Sequence, residues 1–139
     1  TFNNEIIAHS VSLKAGDTKP YYHCLDILMQ RVGKIEEQRP QVVFHTDQGS
    51  VYSSRAFCQA HMKYNIIRSM SRGGTPTDNP IIEALNGWIK EELYLDYDLK
   101  NSDDVPALLD TYVEFFNTSR PAAALGYKSP VRYKSELGF

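Results

Sequence analysis

Residues 41–50 read QVVFHTDQGS, a short run of strand-forming side chains that stops abruptly at a turn. Gln41 to Thr46 is rich in residues that suit a buried sheet, so we expect a strand here. Asp47 would then lie at the carboxyl end of that strand, which is where ligands collect in open α/β sheets. The alternative is a turn aspartate whose carboxylate bonds to its own backbone. For Asp47 taken alone, both interpretations stay open.

The segment before this strand predicts one strand and one helix. Glu5 to Ser12 reads EIIAHSVS, a composition that favours a strand. Thr18 is expected to cap a helix that Gly33 ends. The apolar residues on the buried side of that helix recur at helical spacing and are Tyr21, Leu25, Leu28 and Val32.

The segment after the central strand predicts three helices and a further strand. Ser53 or Ser54 caps the first of these helices, and Ile66 to Met70 forms the strand. The loop from Ser71 to Thr77 holds too much glycine and proline for regular structure. Two more helices follow. Asn79 is expected to cap the first of them, with Pro80 at its first helical position, and Ser102 is expected to cap the second. This order of elements favours an α/β domain with a mostly parallel centre.

The composition is that of one ordinary globular domain. The chain has 139 residues, of which 42% are hydrophobic and 23% charged, and this excludes a disordered, collagen-like or coiled-coil chain. No apolar run is long enough to span a bilayer, and residues 1–10 lack the pattern of a secretory signal. Cys24 and Cys58 are too few for a disulfide scaffold or a zinc cluster, so we expect a reducing cytoplasm.

The net charge of −2 is spread unevenly along the chain. Nine acidic residues face two lysines between Glu83 and Glu114, whereas four basic residues face one glutamate from Arg120 onward. An acidic body with a basic tail is compatible with DNA contact over a limited surface. It is equally compatible with the solvated faces of a soluble protein.

A second carboxylate, Glu83, falls in the first turns of the predicted third helix. Residues seven apart on a helix differ by about 20° in direction, so Glu83 and Lys90 are expected to share a polar face, with Asn86 between them. A carboxylate at a strand end and another on a nearby helix can jointly hold a hard divalent cation. The lysine can meet a phosphate beside it. The alternative is an exposed surface pair of the kind common on amphipathic helices.

Other catalytic arrangements fit the sequence less well. The serines near His45 lack a G-x-S-x-G context, and the four histidines lack zinc-ligand spacing. Gly73-Gly74 is not followed by the G-K-[ST] of a phosphate-binding loop. The absence of a nucleophile motif is compatible with metal-assisted chemistry.

Two blocks resemble those of bacterial insertion-sequence transposases that have a retroviral-integrase-like catalytic core. HTDQGSVYSS at residues 45–54 resembles the family's H-S-D-Q-G-x-x-Y-x-S block, and SMSRGGTPTDN at residues 69–79 resembles its S-M-S-x-x-G-x-x-x-D-N block. Glu83 stands where the family has its last catalytic carboxylate, with thirty-five residues between it and Asp47. Lys90 matches the family's basic residue seven positions after the glutamate.

The end of the chain resembles the family's closing Y-N-x-x-R-P-H-x-x-L-G-Y-x-x-P block. The matching residues are Phe116-Asn117, Arg120-Pro121, Leu125-Gly126-Tyr127 and Pro130. Ala122 stands where the family has a histidine. The family's first catalytic aspartate lies on a strand before the segment that residues 2–7 resemble, so we expect this chain to lack the first strand and, as given, to be inactive.

The resemblance implies an RNase H-like α/β fold, with a mixed sheet flanked by helices. It implies one catalytic core domain over residues 1–139, with a basic tail from about residue 117. The implied activity is DNA end cleavage and strand transfer by phosphoryl transfer, with Mg²⁺ or Mn²⁺ and two ions in the complete site.

The resemblance also assigns roles to individual residues. Asp47 and Glu83 would be the catalytic and metal-binding carboxylates. The DNA contacts would be Lys90, Arg72, Thr75, Thr77, Asn86 and Arg120. The supporting residues would be His45, Asp78 and Asn79.

The implied partners are DNA, at transposon ends and at targets, and further copies of the chain. The expected setting is a bacterial cytoplasm, at the nucleoid, with no membrane partner. Two other functions stay open: an RNase H-type nuclease with the same metal chemistry, and a non-catalytic module for DNA binding or oligomerisation. The closing block from Phe116 to Pro130 favours the transposase over the nuclease.

Overall fold

The computed structural model describes residues 2–73 and 80–139, which form two compact units. We call them the sheet unit, Ser10–Asn86, and the helical unit, Thr1–His9 with Gly87–Phe139. The single domain expected over residues 1–139 stays a prediction. None of the helices in the described ranges is long and apolar enough to cross a membrane. The helices and strands are α1 (Lys19–Val32), β1 (Val42–Thr46), α2 (Arg55–Ala60), β2 (Ile66–Met70), α3 (Pro80–Leu95), α4 (Val105–Thr118) and α5 (Pro130–Glu136).

The sheet unit is built on two parallel strands. β1 and β2 pair in register from Val42 opposite Ile66 to Thr46 opposite Met70. Beyond the last pair, the amide of Ser71 donates to the carbonyl of Thr46 at 2.9 Å. Both strands lie where the sequence predicts them, to within one residue. Because the strands are parallel, the residues that follow β1 lie beside those that follow β2.

The core of the sheet unit lies between α1, α2 and one face of the strands. Leu25 and Met29 of α1 and Phe57 of α2 are buried, and Phe44 of β1 packs against them. The ring of Phe57 lies 6.3 Å from that of Phe44 and 5.4 Å from that of Tyr52, centroid to centroid. These side chains bury enough apolar surface to fix α1 and α2 on the sheet.

Two details of the predicted packing are wrong. Tyr21 is exposed rather than part of the buried stripe of α1, where Met29 takes a place instead. The Tyr21 ring stands edge-on to Tyr52 at 5.3 Å, which covers one side of the ring and leaves the other to solvent. β1 is buried on one face only, since Val43 is 66% exposed.

The helical unit has its own core, centred on α4. Tyr112 and Phe116 of α4 are buried, together with Leu93 of α3 and Leu125. Tyr97 stands perpendicular to Tyr112, with ring centroids 5.2 Å apart. The buried residues of α4 follow the predicted stripe, so this helix packs as its sequence indicates.

α3 buries much less of its apolar side than the sequence predicts. Leu93 is its buried residue, whereas Ile81 and Trp88 are 54% and 52% exposed. The apolar side chains of its first turn, Ile81 and Ile82, are exposed to solvent.

Side chains cap the starts of α1 and α2 in different ways. The Ser54 hydroxyl accepts from the amide of Phe57 at 3.2 Å, as predicted. Thr18 occupies the cap position of α1, but its side chain makes no capping bond. The carboxylate of Asp17 accepts from the amide of Lys19 at 3.0 Å instead, because a charged oxygen is the stronger acceptor.

The start of α4 differs from the prediction for the same reason. Asp104, not Ser102, is the cap, and its carboxylate accepts from the amide of Ala107 at 3.0 Å. Pro80 begins α3 as predicted. Its expected cap, Asn79, lies outside the described residues.

The predicted strand from Glu5 to Ser12 is wrong, because this stretch forms no strand in the structure. A strand needs a neighbouring backbone to bond with, and here a side chain takes that place. The amide and carbonyl of Ile6 both bond to the side chain of Asn117 on α4, each at 2.9 Å. The sheet of the described residues therefore consists of the two parallel strands β1 and β2.

Candidate functional site

Asp47 follows β1 directly and is exposed at the carboxyl end of the strand. Its Oδ1 accepts a hydrogen bond from the amide of Gly49 at 2.8 Å, which is the turn bond of the alternative interpretation. A Cβ on Gly49 would come within 2.9 Å of that oxygen, so a larger residue there would have to displace the Asp47 carboxylate. The bond orients a carboxylate that solvent still reaches, and the turn role is therefore compatible with a ligand role.

The loop after Asp47 closes on itself before α2 begins. The amide of Ser53 donates to the carbonyl of Gly49 at 2.9 Å. Tyr52 is partly buried at the edge of the core. Burial, with smaller contributions from Tyr21 and Asp47, raises the pKa of the Tyr52 phenol, so this side chain stays neutral beside the loop.

The chain that leaves β2 lies close to this loop. A Cβ on Gly73 would come within 3.2 Å of the side-chain oxygen of Gln48, so the two strand-end segments approach each other closely. Arg72 is exposed in this second segment. A ligand at the carboxyl ends of β1 and β2 would therefore meet both segments.

His45 ties the two strands together just before Asp47. Its Nδ1 lies 2.9 Å from the hydroxyl of Ser69, its register partner on β2. Its Nε2 is buried and has no hydrogen-bond partner within residues 2–73 and 80–139. The supporting role expected of His45 stays a prediction, and the bond to Ser69 shows how such support can reach the strand end.

Glu83 and Lys90 lie on α3, Glu83 in its first turn. Both side chains are exposed, as is Asn86 between them. Helical geometry puts Glu83 and Lys90 on the same side of α3, two turns apart. Asp47 and Glu83 both belong to the sheet unit, and a cation shared by their carboxylates stays a prediction. The candidates that lie outside the described residues are Thr75, Thr77, Asp78 and Asn79.

Arg120 is held inside the helical unit. Its Nε lies 2.7 and 2.9 Å from the two carboxylate oxygens of Glu92, and its Nη2 lies 2.5 Å from one of them. The guanidinium also stands over the rings of Phe116 and Trp88, at 5.2 and 6.0 Å. Its side chain is 17% exposed. This geometry gives no support to a DNA contact by Arg120.

The sequence did not single out the partners of Arg120. The hydroxyl of Tyr112 donates to Glu92 at 2.8 Å. Burial alone would raise the pKa of Glu92, but the hydrogen bonds from Arg120 and Tyr112 outweigh it, and the pKa of Glu92 is lowered. Burial first, and then the bond to Glu92, raises the pKa of the Tyr112 phenol. The sequence signal that could have revealed this pair is Glu92 next to the apolar Leu93, because a charge near a buried position needs a partner.

The carboxylates of Asp47 and Glu83 are the candidate metal ligands at this site. Carboxylate oxygens are hard donors, which Mg²⁺ and Mn²⁺ prefer. No group of three or more histidine, cysteine, aspartate or glutamate side chains that could hold a metal ion occurs in the described part of the chain. These two residues therefore offer part of a coordination sphere.

Part of the chain matches a known family model. Residues 64–130 match the model of the integrase core domain. The match begins just before β2 and ends at the first residue of α5, so it includes Glu83 and Lys90.

Curated relatives match the chain over nearly all of its length. The transposase for insertion sequence element IS904 of Lactococcus lactis is 32% identical over 130 residues, which are 93% of this chain and 49% of that protein. InsK of Escherichia coli K12, ascribed to insertion sequence element IS150 as its transposase, is 27% identical over 135 residues, which are 97% of this chain and 46% of that protein. The chain thus spans about half the length of the curated relatives it matches.

A solved structure shares the fold. A chain in the cryo-EM structure of the simian T-cell lymphotropic virus intasome, in complex with PP2A regulatory subunit B56 gamma, superimposes with a TM-score of 0.69 at 22% identity. The match covers 89% of this chain and 42% of that one. At this identity the likeness shows the fold, and it confirms the RNase H-like α/β class predicted from the sequence. Residues 64–130 thus resemble an integrase core domain, and the chain over nearly all of its length resembles insertion-sequence transposases.

Proposed function

We propose that this chain is part of the catalytic core of a DNA transposase. Such an enzyme cuts DNA at the ends of a mobile element and joins the free 3′ ends to target DNA by phosphoryl transfer. The observation that carries the proposal is the exposed carboxylate of Asp47, oriented by the amide of Gly49 at the carboxyl end of β1. Glu83 lies within the part of the chain that matches the integrase core model, and the transposase relatives match across Asp47 as well, which supports a catalytic carboxylate at Asp47 with Glu83 as its partner.

Mg²⁺, or Mn²⁺ in its place, suits the donors of this site. Two such ions, when bound, supply Lewis-acid stabilisation of the charge that develops during in-line displacement at phosphorus. Asp47 and Glu83 would hold part of the coordination sphere. Because the described residues bring together no group of three metal-binding side chains, the remaining ligands would come from elsewhere in the protein or from DNA. We therefore expect weak metal binding and little strand transfer from these 139 residues alone.

The DNA would meet the site from α3 and from the segment after β2. Lys90 is exposed two turns beyond Glu83 on the same side of α3, and its ammonium group is a compact charge that suits phosphate. The other DNA contacts that we propose are Asn86, Arg72, Thr75 and Thr77. The proposed partners are DNA and further copies of the protein, in a bacterial cytoplasm.

Metal binding is tested by titrating the chain with Mn²⁺ and following the free ion by electron paramagnetic resonance. We expect Asp47→Asn and Glu83→Gln each to weaken binding about tenfold, since each removes one charged ligand. Asp26→Asn is the matched control, because Asp26 is an exposed carboxylate on α1 in the same unit. Equal binding by wild type and Asp47→Asn would remove the basis of the proposal.

The role of Lys90 is tested through the salt dependence of DNA binding. We expect Lys90→Ala to weaken binding to all DNA sequences and to reduce the slope of log K against log salt by about 1. Lys100→Ala, at another exposed lysine, is the control. An unchanged slope for Lys90→Ala would contradict a phosphate contact and would favour the alternative, in which Lys90 and Glu83 form an exposed surface pair.

The activity itself is tested with these residues expressed within their flanking coding sequence, since the relatives are about twice as long. The assay measures the joining of a pre-nicked element end to a target plasmid in Mn²⁺. Joining that Glu83→Gln abolishes would support the transposase. Cleavage of RNA–DNA hybrids without joining would favour the nuclease, and DNA binding without either reaction would favour the non-catalytic module.

A further inference from the structure

The guanidinium of Arg68, on β2, is packed into the sheet unit against uncharged groups. Its Nη2 donates to the backbone carbonyl of Tyr52 and lies 3.5 Å from both the Thr46 hydroxyl and the Met70 sulfur. Its central carbon stands 5.6 Å over the ring of Phe57. Its Nε and Nη1 are shielded from solvent and have no hydrogen-bond partner among the described residues.

Shielding this guanidinium from solvent carries a cost in folding stability. A buried charge loses its hydration, and each unsatisfied N–H group adds a further cost. An apolar side chain of similar volume at such a position is often neutral or stabilising. The role of Arg68 is therefore to be sought in what its hydrogen bond to the Tyr52 carbonyl holds.

That bond leads to the loop of Asp47. The carbonyl of Tyr52 belongs to the segment that closes the turn after Asp47, and Arg68 is bonded to it from the neighbouring strand. At the other end of the loop, the Thr46 hydroxyl near Arg68 donates to the carbonyl of Asp47 at 3.0 Å. One side chain on β2 thus reaches both ends of the loop of residues 47–54.

We propose that Arg68 is a positioning residue for Asp47. Through the Tyr52 carbonyl and the Thr46 hydroxyl, it fixes the loop of residues 47–54 and with it the direction of the Asp47 carboxylate. This inference rests on the proposed role of Asp47 in metal binding. All three contacts are made by one nitrogen, Nη2, which the long side chain of Arg68 carries from β2 to the loop.

The experiment compares Arg68→Met and Arg68→Lys with wild type and with Lys63→Met. Lys63 is exposed in the same unit and lies outside the loop and α2, so its variant makes the same change of charge elsewhere. Hydrogen exchange of the amides in residues 47–54 reports loop order, thermal unfolding reports stability, and Mn²⁺ titration reports the proposed ligand function.

For Arg68→Met we expect loop amides to exchange about tenfold faster, as for the loss of one charge-assisted hydrogen bond. Mn²⁺ affinity should fall severalfold, whereas Tm should stay the same or rise, because the buried charge is gone. Arg68→Lys should show a smaller increase in loop exchange, and Lys63→Met should match wild type in all three measurements.

Three results would overturn the inference. In the first, the loop amides of Arg68→Met exchange at the wild-type rate. In the second, exchange rises throughout α1 and the strands, with a lower Tm or loss of folding. In the third, the loop amides exchange faster but the affinity for Mn²⁺ does not change. One further result would contradict the proposed function and not the positioning role of Arg68. If wild type shows no Mn²⁺ binding that depends on Asp47, the metal role fails, and the exchange pattern still decides whether Arg68 holds the loop.

Discussion

The side chain of Asn117, on α4, makes both of the hydrogen bonds that a neighbouring strand would make to Ile6. Its amide nitrogen donates to the Ile6 carbonyl and its oxygen accepts from the Ile6 amide, each at 2.9 Å. Nearby, the side chain of Asn3 donates to the carbonyl of Pro130 at 3.1 Å. The extended N-terminal segment is therefore attached to the helical unit by side-chain amides.

Replacing Asn117 by leucine should release this segment. The volume is nearly kept, but the amide and carbonyl of Ile6 lose their partner, so we expect a loss of about 1–3 kcal/mol in the free energy of unfolding. Urea unfolding measures the loss, and hydrogen exchange at Ile6 locates it. Thr118→Ala is the control, since the Thr118 hydroxyl bonds to the Glu114 carbonyl within α4. Equal losses in the two variants would contradict this account.

Alanine at Gly49 and at Gly87 should have opposite effects. A Cβ on Gly49 would lie 2.9 Å from the Asp47 carboxylate, whereas one on Gly87 in α3 meets nothing within 4 Å. We expect Gly49→Ala to break the turn bond, costing about 1 kcal/mol and weakening Mn²⁺ binding. Gly87→Ala should gain about 0.5–1 kcal/mol from the better helix former. Urea unfolding and Mn²⁺ titration measure both, and a stabilising Gly49→Ala would contradict the geometry.

The ion pair of Glu92 and Arg120 should make stability depend on pH in acid. The pKa of Glu92 is lowered from its ordinary value of 4.5, so its contribution is complete above that pH and is lost as the pH falls through the lower value of the folded state. Glu92→Gln should cost about 1–2 kcal/mol at neutral pH, because the pair is only partly exposed. The cost should shrink in acid. Urea unfolding at neutral and acidic pH tests this, and a cost that does not vary with pH would refute it.

Protonation of His61 should lower the free energy of unfolding at a higher pH than protonation of Glu92 does. Burial, assisted by the positive charge of Arg68, lowers the pKa of His61 from its ordinary value of 6.5. The unfolded chain therefore takes up this proton first, and stability should fall as the pH drops below 6.5 until the lower pKa of the folded state is reached. Urea unfolding across this range measures the slope, and His61→Gln should flatten it. Arg68→Met should raise the pKa of His61 in an NMR titration; a lower pKa would contradict the assigned cause.

Features that depend on nearby residues along the chain could be predicted from the sequence. β1 and β2 were located to within one residue because both are runs of strand-forming side chains bounded by turns. The turn at Asp47 and Gly49 follows from residue types that favour it. The α4 stripe could be predicted because helical spacing alone defines an apolar face.

Features that depend on a partner distant in the sequence could not be predicted. Lys90 and Arg120 are both basic residues that the resemblance assigns to DNA contact, yet one is exposed and the other is bonded to Glu92. The difference lies in an acid twenty-eight residues away from Arg120 in the chain. The partly buried Arg68 was missed for the same reason.

The sequence by itself thus determined the two strands, most of the helices and the similarity to integrase cores, because these depend on local propensity, spacing and contiguous motifs. Only the tertiary structure decided what each polar group bonds to. The segment from Glu5 to Ser12 has the composition of a strand, but backbone groups bond to whatever partner lies within reach, and for Ile6 that partner is Asn117. Charged side chains follow the same rule, because the free energy of a charge depends on its distance to other groups in space and not on its position in the chain.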